Sequence, residues 1–321
     1  MMRLSHIKLN RAKGASDLRH LLSEPHAKIA LICLTLIAIL HILVLPLTDF
    51  YISSGDWLSG LLLSAWVLLG GIVALGSGLE RTGLAMLAFA VPMELGLLVS
   101  GGVLYLGAIS VPFVDPWLHA ADRSIGFDFR WLSQVYADNP AIMSISRFAY
   151  SSLAIQTIVI PVVMAVTLPP KRLLHFIAAY SLTLTITVAV FPLFPAEGPY
   201  VYYNIPLERA PYLDRLFPWE TGIKIEKLRL GYLRDVTSEA AGLVSFPSFH
   251  AASAILLGWA SLSWLWVRGP ILLLNAVMLF STIVCGAHYL VDLIGGVVLA
   301  AGVIYWTGRC CQHNANSPHS T

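Results

Sequence analysis

Ser245-Phe-Pro-Ser-Phe-His250, together with Gly286-Ala-His-Tyr-Leu-Val-Asp292, decides how the rest of the chain is arranged. Each of these segments opens a long apolar run, and His288 follows His250 by 38 residues. A helix needs about 20 residues to cross a bilayer. The interval therefore holds one crossing, a turn at Arg268-Gly-Pro270 and one crossing back, which predicts that both histidines lie at the same face of the membrane.

Composition places the chain among membrane proteins. Of its 321 residues, 57% are hydrophobic and 12% are charged, and the mean hydropathy is +0.74. Since soluble domains carry about 25% charged residues, the composition excludes a soluble protein, and no nucleic-acid partner is predicted. The first apolar run, 27–47, has no small-residue cleavage site after it, which predicts a retained span rather than a signal peptide.

The predicted fold class is all-α, a polytopic membrane helix bundle with about eight transmembrane helices. The predicted spans are 27–47, 57–76, 82–110, 151–168, 173–194, 249–267, 271–287 and 288–308. The connections between many of them are very short, so neighbouring helices are expected to run antiparallel.

The chain is predicted to divide into four parts. They are a basic cytoplasmic tail (1–26), N-terminal transmembrane helices (27–110), a catalytic region with two long outer loops (111–308) and a C-terminal tail (309–321). Lys and Arg in the tail and at Arg81, Lys171, Arg172, Arg268 and Arg309 fall on one side. Basic residues favour the cytoplasmic side, so both termini are predicted to be cytoplasmic and the histidines to face the other way.

The first long loop, 111–150, carries apolar residues at helical spacing. Trp117, Leu118 and Ile125 predict a helix along the membrane interface, which ends at Gly126-Phe-Asp128 and precedes a second short helix over Phe129–Val135. Two interpretations stay open for this loop: a wall of a substrate entrance, or a surface covering without a role in binding.

The second long loop, 195–247, is rich in aromatic and basic residues and directly precedes the first histidine segment. Loops of this length inside a compact domain are usually functional. Its bases are candidates for holding a lipid phosphate, and Glu197 for binding an acceptor hydroxyl; ordinary interfacial residues with solvated charges are the alternative.

The residue types in the two segments suit phosphate chemistry. His288 and Asp292, four residues apart at the predicted start of the last helix, share one face. The carboxylate fixes one imidazole nitrogen and leaves the other for a substrate. His250 is a candidate proton donor, and Ser248 is predicted near a helix N-terminus that favours phosphate. The pattern predicts phosphoryl transfer through histidine, with no metal and no cofactor.

The same segments resemble the second and third signatures of the type 2 phosphatidic acid phosphatase superfamily. The stretch His288-Tyr-Leu-Val-Asp292-Leu is similar to the branch that contains fungal inositol phosphorylceramide synthase, and weaker likeness covers 115–128 and 194–199. The resemblance implies that His288 forms a phosphohistidine, Asp292 orients it, His250 is the general acid and Ser248 binds the phosphate. It also implies a six-helix core formed by the third to eighth predicted spans.

Two departures from the family signatures concern phosphate-binding bases. The third signature has an arginine six residues before its histidine, where this chain has Thr282. The first signature, Lys-x6-Arg-Pro, is absent over 191–200; Lys227 and Arg234 fit its spacing, but Asp235 replaces the proline. These losses are expected of the phosphotransferase branch, and Lys227 and Arg234 are retained as candidate substrate-binding residues.

The sequence thus predicts an integral membrane lipid phosphatase or lipid-linked phosphotransferase. Its substrate would be a lipid phosphate, with water or an alcohol (inositol, a sugar or a lipid) as acceptor. The alternative is a non-catalytic transporter or scaffold that retains the fold; no internal repeat typical of transporters is visible. Glu94, an acid within the third span, is either functional or paired with a hydroxyl or backbone group of a neighbouring helix.

Overall fold

The computed structural model describes residues 18–53, 55–206, 219–237 and 243–315, and these form an all-α bundle. We number its main helices in chain order and leave single turns unnumbered. They are α1 (Pro25–Val44), α2 (Gly55–Gly76), α3 (Glu80–Ala108), α4 (Asp115–Ser124), α5 (Phe129–Asp138), α6 (Pro140–Thr167), α7 (Pro170–Val190), α8 (Thr221–Arg229), α9 (Phe249–Ser261), α10 (Arg268–Cys285) and α11 (Leu290–Ala315).

Within the described part of the chain, seven helices are long and apolar enough to cross a membrane: α1, α2, α3, α6, α7, α10 and α11. Large apolar side chains on the first two are exposed, among them Ile42 at 69% and Trp66 at 70%. Such exposure suits helices that face lipid rather than water. The chain is therefore a multi-pass membrane protein, and the predicted all-α membrane bundle is confirmed.

The sixth predicted span, 249–267, is shorter than expected. Helix α9 has 13 residues, which corresponds to about 20 Å against a hydrocarbon core of about 30 Å. At its end the backbone bonds shorten to a three-residue interval, with the Leu262 N–H donating to the Trp259 carbonyl at 3.3 Å and the Trp264 N–H to the Ser261 carbonyl at 3.0 Å. The apolar residues 262–267 form turns instead of continuing the helix.

The first long loop is also shorter than predicted, because α6 begins at Pro140 rather than near residue 151. Proline suits a first helical position, where its missing N–H is not needed. The added turns bury Met143, Ser146 and Ala149 on one face. Polar residues interrupt the apolar run here, so hydropathy alone does not detect these turns.

The two short helices predicted in this loop are confirmed as α4 and α5. Asp128 caps α5, since its Oδ1 accepts the N–H groups of Arg130 at 2.9 Å and Trp131 at 3.3 Å. Trp117 and Trp131 are exposed, which is compatible with the predicted position along the membrane interface.

Helix α9 lies at the centre of the bundle and packs against α6, α7, α10 and α11. Small side chains make this packing close, and Ala251, Ala252 and Ser253 are fully buried. Because α9 begins at Phe249, it places Ser248 and His250 at one end of the bundle, next to the segment before α11. We call this end, which also holds His288, the histidine end.

Candidate active site

His288 lies in a short turn before α11, not in the helix itself. Ala287 has a positive φ of 53°, and the His288 N–H donates to the Ile283 carbonyl at 3.1 Å. The chain therefore folds back after α10 and presents the imidazole before α11 begins at Leu290. The expectation that His288 and Asp292 share a helix face is wrong for this reason, although the two side chains do meet.

Asp292 contacts both the ring and the backbone of this turn. Its Oδ2 lies 3.1 Å from His288 Nδ1 and accepts the Tyr289 N–H at 3.0 Å. Asp292 is the third residue of α11, and Tyr289 is the residue just before the helix. A carboxylate at the third position commonly accepts the N–H of that preceding residue, as in a capping box. A carboxylate beside Nδ1 favours the tautomer that carries its proton on Nδ1, and this tautomer leaves the lone pair on the other ring nitrogen of His288, Nε2.

Ser248 faces that free nitrogen, with its Oγ 3.3 Å from His288 Nε2. Ser248 also caps α9, as its Oγ accepts the Ala251 N–H at 3.4 Å, and its own N–H donates to the Asp292 carbonyl at 3.0 Å. The close approach requires Gly296, where an added Cβ would lie 2.3 Å from the Ser248 carbonyl. The two histidine segments are thus joined directly.

His250 reaches the same place from α9. Its ring stacks on Tyr150 of α6 with centroids 4.1 Å apart and an interplanar angle of 7°. His250 and His288 both line a cavity of about 410 Å³ whose remaining wall is mostly apolar. That wall comprises Gly96, Val99, Ser100, Val103, Tyr150, Tyr180, Leu184, Thr187, Val188, Val244, Phe249 and Gly286.

Comparison with protein families gives one assignment. A family model described as the PAP2 superfamily matches residues 116–306, more than half of the chain. The chain belongs to the PAP2 superfamily. No curated protein and no solved structure matches it significantly. The superfamily resemblance is confirmed and supports a phosphoryl-transfer enzyme at a general level, while the likeness to the inositol phosphorylceramide synthase branch stays a prediction.

The PAP2 match begins after α3, yet α3 forms part of the cavity wall through Gly96, Val99, Ser100 and Val103. The predicted catalytic residues His250, His288 and Asp292 all lie inside the match. The cavity wall is therefore built partly by a helix that lies outside the family match.

Two aspartates of α4 hold the PAP2 site together, although the sequence assigns them no role beyond a weak likeness. Asp115 accepts the N–H groups of Glu197 at 2.9 Å and Gly198 at 3.0 Å, and the Tyr289 hydroxyl at 2.8 Å. Its side chain thereby joins α4 to the segment that follows α7 and to the residue after His288. The sequence indicates this role only through the spacing Asp115-x-x-Leu118-x-x-x-Asp122, because these three residues lie on one face of a helix.

Asp122 accepts the first N–H groups of α11, from Leu290 at 3.0 Å and Val291 at 2.9 Å. These donors have no partner within their own helix. Burial raises the pKa of Asp122 above its ordinary value, and the two N–H donors offset part of that rise. Asp122 therefore fixes where α11 begins, and with it the position of Asp292.

Replacing Asp122 by alanine is expected to destabilise the protein, because two partly buried N–H groups lose their acceptor, at a cost of up to about 1–3 kcal/mol for each unsatisfied group. The measurement is the apparent melting temperature in detergent. Asp128→Ala is the matched control, since that cap serves the surface helix α5 and is worth about 1 kcal/mol. Equal losses for both variants would contradict the role assigned to Asp122.

The three predicted substrate-binding residues of the second loop do not line the histidine cavity. Lys227 is exposed on α8. Arg234 donates from Nη1 to the Leu228 carbonyl at 2.6 Å, and its guanidinium lies 4.9 Å from the centre of the Phe50 ring. The Lys-x6-Arg spacing thus spans the end of α8 and the turn after it. The Arg234 guanidinium is hydrogen-bonded within its own loop.

Glu197 turns its side chain toward Gly222 of α8, where an added Cβ would lie 2.9 Å from Glu197 Cγ. Burial, together with the nearby Asp115 and Glu226 carboxylates, raises the pKa of Glu197. Only its backbone N–H takes part in the network around α4. Glu94 on α3 accepts a hydrogen bond from Ser64 of α2, which favours the interpretation of a paired intramembrane acid.

Proposed function

We propose that this PAP2 protein is a membrane enzyme that cleaves a lipid-linked phosphate ester through a phosphohistidine at His288. The supporting observation is the order of contacts from Asp292 Oδ2 to Nδ1 of His288, and from Nε2 to Ser248 Oγ. This order leaves a buried, oriented nitrogen lone pair beside a hydroxyl at the start of α9. Nucleophile, orienting acid and phosphate-binding helix start thus share one small volume.

The proposed reaction has two steps. In the first, Nε2 of His288 attacks phosphorus, the N–P bond forms, the P–O bond to the leaving alcohol breaks, and protonated His250 gives its proton to that alcohol. In the second, water or an acceptor alcohol loses its proton to neutral His250 and attacks phosphorus, and the N–P bond breaks. The reaction requires no metal in this scheme, because the imidazole is the nucleophile.

The cavity supports a lipid rather than a small soluble phosphate as substrate. It is about 410 Å³ in volume, and most of its wall away from the histidines is apolar. Apolar lining with a few convergent polar groups is the usual character of a site for a largely apolar ligand. The phosphate would lie at the histidines and part of the hydrocarbon would lie between α3 and α7.

A polar groove supports an alcohol acceptor besides water. It measures about 610 Å³ and is lined by His119, Arg123, Asp128, Arg130, Tyr202 and Tyr203. The Tyr202 ring lies 6.5 Å from that of Tyr289, the residue after His288. Hydroxyl, imidazole and guanidinium groups together suit an acceptor with several hydroxyls. Phosphate transfer to a sugar or inositol is therefore the second proposed reaction, beside hydrolysis.

The test uses purified protein in detergent with dioleoylphosphatidic acid carrying a labelled phosphate. Inositol, glucose or diacylglycerol is added in separate reactions. Free phosphate without an acceptor would establish hydrolysis, and labelled acceptor would establish transfer. Absence of both products from a folded protein, with this and other lipid phosphates, would favour the non-catalytic transporter or scaffold.

We further propose that the histidine end faces away from the cytoplasm. Arg81, Lys171 and Arg268 begin α3, α7 and α10 at the opposite end, and short basic loops favour the cytoplasmic side. Reporter fusions at each terminus test this orientation. A reporter found outside the cytoplasm would reverse it.

Filling the cavity is expected to change the preferred lipid. Gly96 lines the cavity, and an added Cβ there would meet nothing within 4 Å, so Gly96→Phe would project a ring into open space. Phosphate release from dioleoylphosphatidic acid is expected to fall about tenfold relative to release from a short-chain, dihexanoyl substrate.

The matched control for this variant is Gly302→Phe. Gly302 lies on an exposed part of α11, and an added Cβ there also meets nothing within 4 Å. This control is expected to leave the ratio of the two activities unchanged. A Gly96→Phe variant that slows both substrates equally would contradict a hydrocarbon site between α3 and α7.

A further inference from the structure

We propose that Tyr150 is the positioning residue for His250, an inference that rests on the function proposed above. The Tyr150 ring lies nearly parallel to the His250 imidazole, with centroids 4.1 Å apart and an interplanar angle of 7°. In the proposed reaction His250 gives a proton to the leaving alcohol and later takes one from the acceptor. A group with this task is effective only when it is held in the right geometry, so a contact that fixes the imidazole plane bears on the rate.

The two histidines of the site are held by different means. His288 has a partner at each ring nitrogen, Asp292 at Nδ1 and Ser248 at Nε2. Among the residues that the structure describes, none forms a hydrogen bond with either ring nitrogen of His250. The ring face of Tyr150 therefore orients His250 without occupying its nitrogens. Both nitrogens stay available, which suits a group that first donates and then accepts a proton.

The Tyr150 ring is itself in contact with the segment before His288. A Cβ added at Gly286 would lie 3.2 Å from Tyr150 Cε2 and 2.8 Å from His288 Cδ2. Glycine at this position therefore lets both rings approach the same backbone. Through these contacts one side chain of α6 relates the position of the proton donor, at the start of α9, to that of the nucleophile, just after α10.

The stack also suits the charged form of His250. Both residues line the histidine cavity, whose wall is mostly apolar, and a charged imidazolium is costly where water is excluded. No carboxylate among the described residues lines this cavity. The face of an aromatic ring is negative and attracts a cation that lies over it. Tyr150 thus stabilises the protonated imidazole that the first step requires, and it also fixes the orientation of that ring.

The test compares two substrates that differ in their need for a proton. Dioleoylphosphatidic acid releases an alcohol whose oxygen must be protonated, whereas 4-dodecyl-2-nitrophenyl phosphate releases a stable nitrophenolate. Tyr150→Leu is expected to lower kcat for the first substrate about 100-fold, with KM within about threefold, because a misplaced acid loses much of its effect. The burst of nitrophenolate in the first turnover of the second substrate is expected to fall less than about threefold, since this leaving group needs no acid.

Tyr150→Phe keeps the ring face, so its kcat is expected to stay within about threefold of wild type on both substrates. Tyr105→Leu is the matched control, because it also removes a buried tyrosine ring from a histidine: the Tyr105 ring lies edge-on to His41 at 5.1 Å and does not line the histidine cavity. This control is expected to change both activities by the same factor. A folded Tyr150→Leu that slows both substrates equally, or a Tyr150→Phe that loses as much as Tyr150→Leu, would overturn the proposal.

Melting temperature in detergent shows whether each variant is folded. If Tyr150→Leu is unfolded, Tyr150→Met replaces it, because the flexible methionine side chain fills irregular gaps. If wild type cleaves neither substrate, the proposed function fails, and the positioning role is then judged by NMR of histidine-labelled protein, with His250→Ala to assign the signals. A ring-current shift of the His250 signals in wild type and Tyr150→Phe that is lost without the ring would support the role; equal signals in all three proteins would overturn it.

Discussion

Replacing His288 by alanine is expected to reduce phosphate release from a lipid phosphate by about 10⁴-fold or more. Loss of a nucleophile that acts together with an orienting acid removes nearly all of the chemical acceleration, as in catalytic triads. His288 is 5% exposed and its Nε2 faces Ser248, so a neighbouring side chain cannot easily take its place. The variant should still bind the substrate, since Ser248 and the cavity wall remain.

The measurement combines phosphate release with alkaline detergent quenching of a reaction on lipid carrying a labelled phosphate, because the P–N bond of a phosphohistidine is hydrolysed in acid and survives in base. Wild type is expected to retain label on the protein during turnover, and His288→Ala is expected to retain none. His20→Ala, which removes an exposed histidine near the opposite end of the bundle, is the control and should behave as wild type. Substantial turnover by a folded His288→Ala would remove His288 as the nucleophile.

The fold is largely predictable from the spacing of apolar runs, because a membrane helix must be about 20 residues long. The same rule fails at α9 and at the start of α6. At α9 the backbone turns after Ser261 although apolar residues continue, and hydropathy does not detect such a turn. At α6 polar residues interrupt the apolar run, and a prediction of loop over 111–150 does not show that Tyr150 stacks on His250.

The site is predictable where side chains contact side chains, and less so where they contact the backbone. His250, His288, Asp292 and Ser248 are residue types whose chemistry is evident from their pattern, and the fold brings them together. Asp122 works through backbone N–H groups, which every residue except proline carries and which therefore leave no trace in the sequence.

Spacing alone is the weakest guide to the site. Lys227 and Arg234 match a family interval, but a six-residue gap between two bases does not show what each base contacts. Arg234 is engaged by Leu228 and Phe50.

Asp292→Asn is expected to lower the rate by about 10²–10⁴-fold while leaving a measurable residual activity. Asp292 is fully buried, and its Oδ2 accepts both the Tyr289 N–H and the His288 Nδ1 proton. An asparagine can keep its oxygen on the Tyr289 N–H, but its amide nitrogen then faces Nδ1. Two donors repel there, so the imidazole proton moves to Nε2 and blocks the lone pair needed for attack; the equivalent change in a serine protease costs about 10⁴-fold.

The expected signature of Asp292→Asn is a loss of kcat with little change in KM, because the phosphate contacts from Ser248 and the cavity wall stay in place. Formation of the labelled phosphoenzyme should slow by the same factor as turnover, which ties the loss to the nucleophile rather than to lipid binding. Melting temperature separates this effect from unfolding of the turn around Tyr289. A folded variant with unchanged kcat would show that Asp292 serves only to cap α11, and the hydrogen bond to Nδ1 would then have no part in the chemistry.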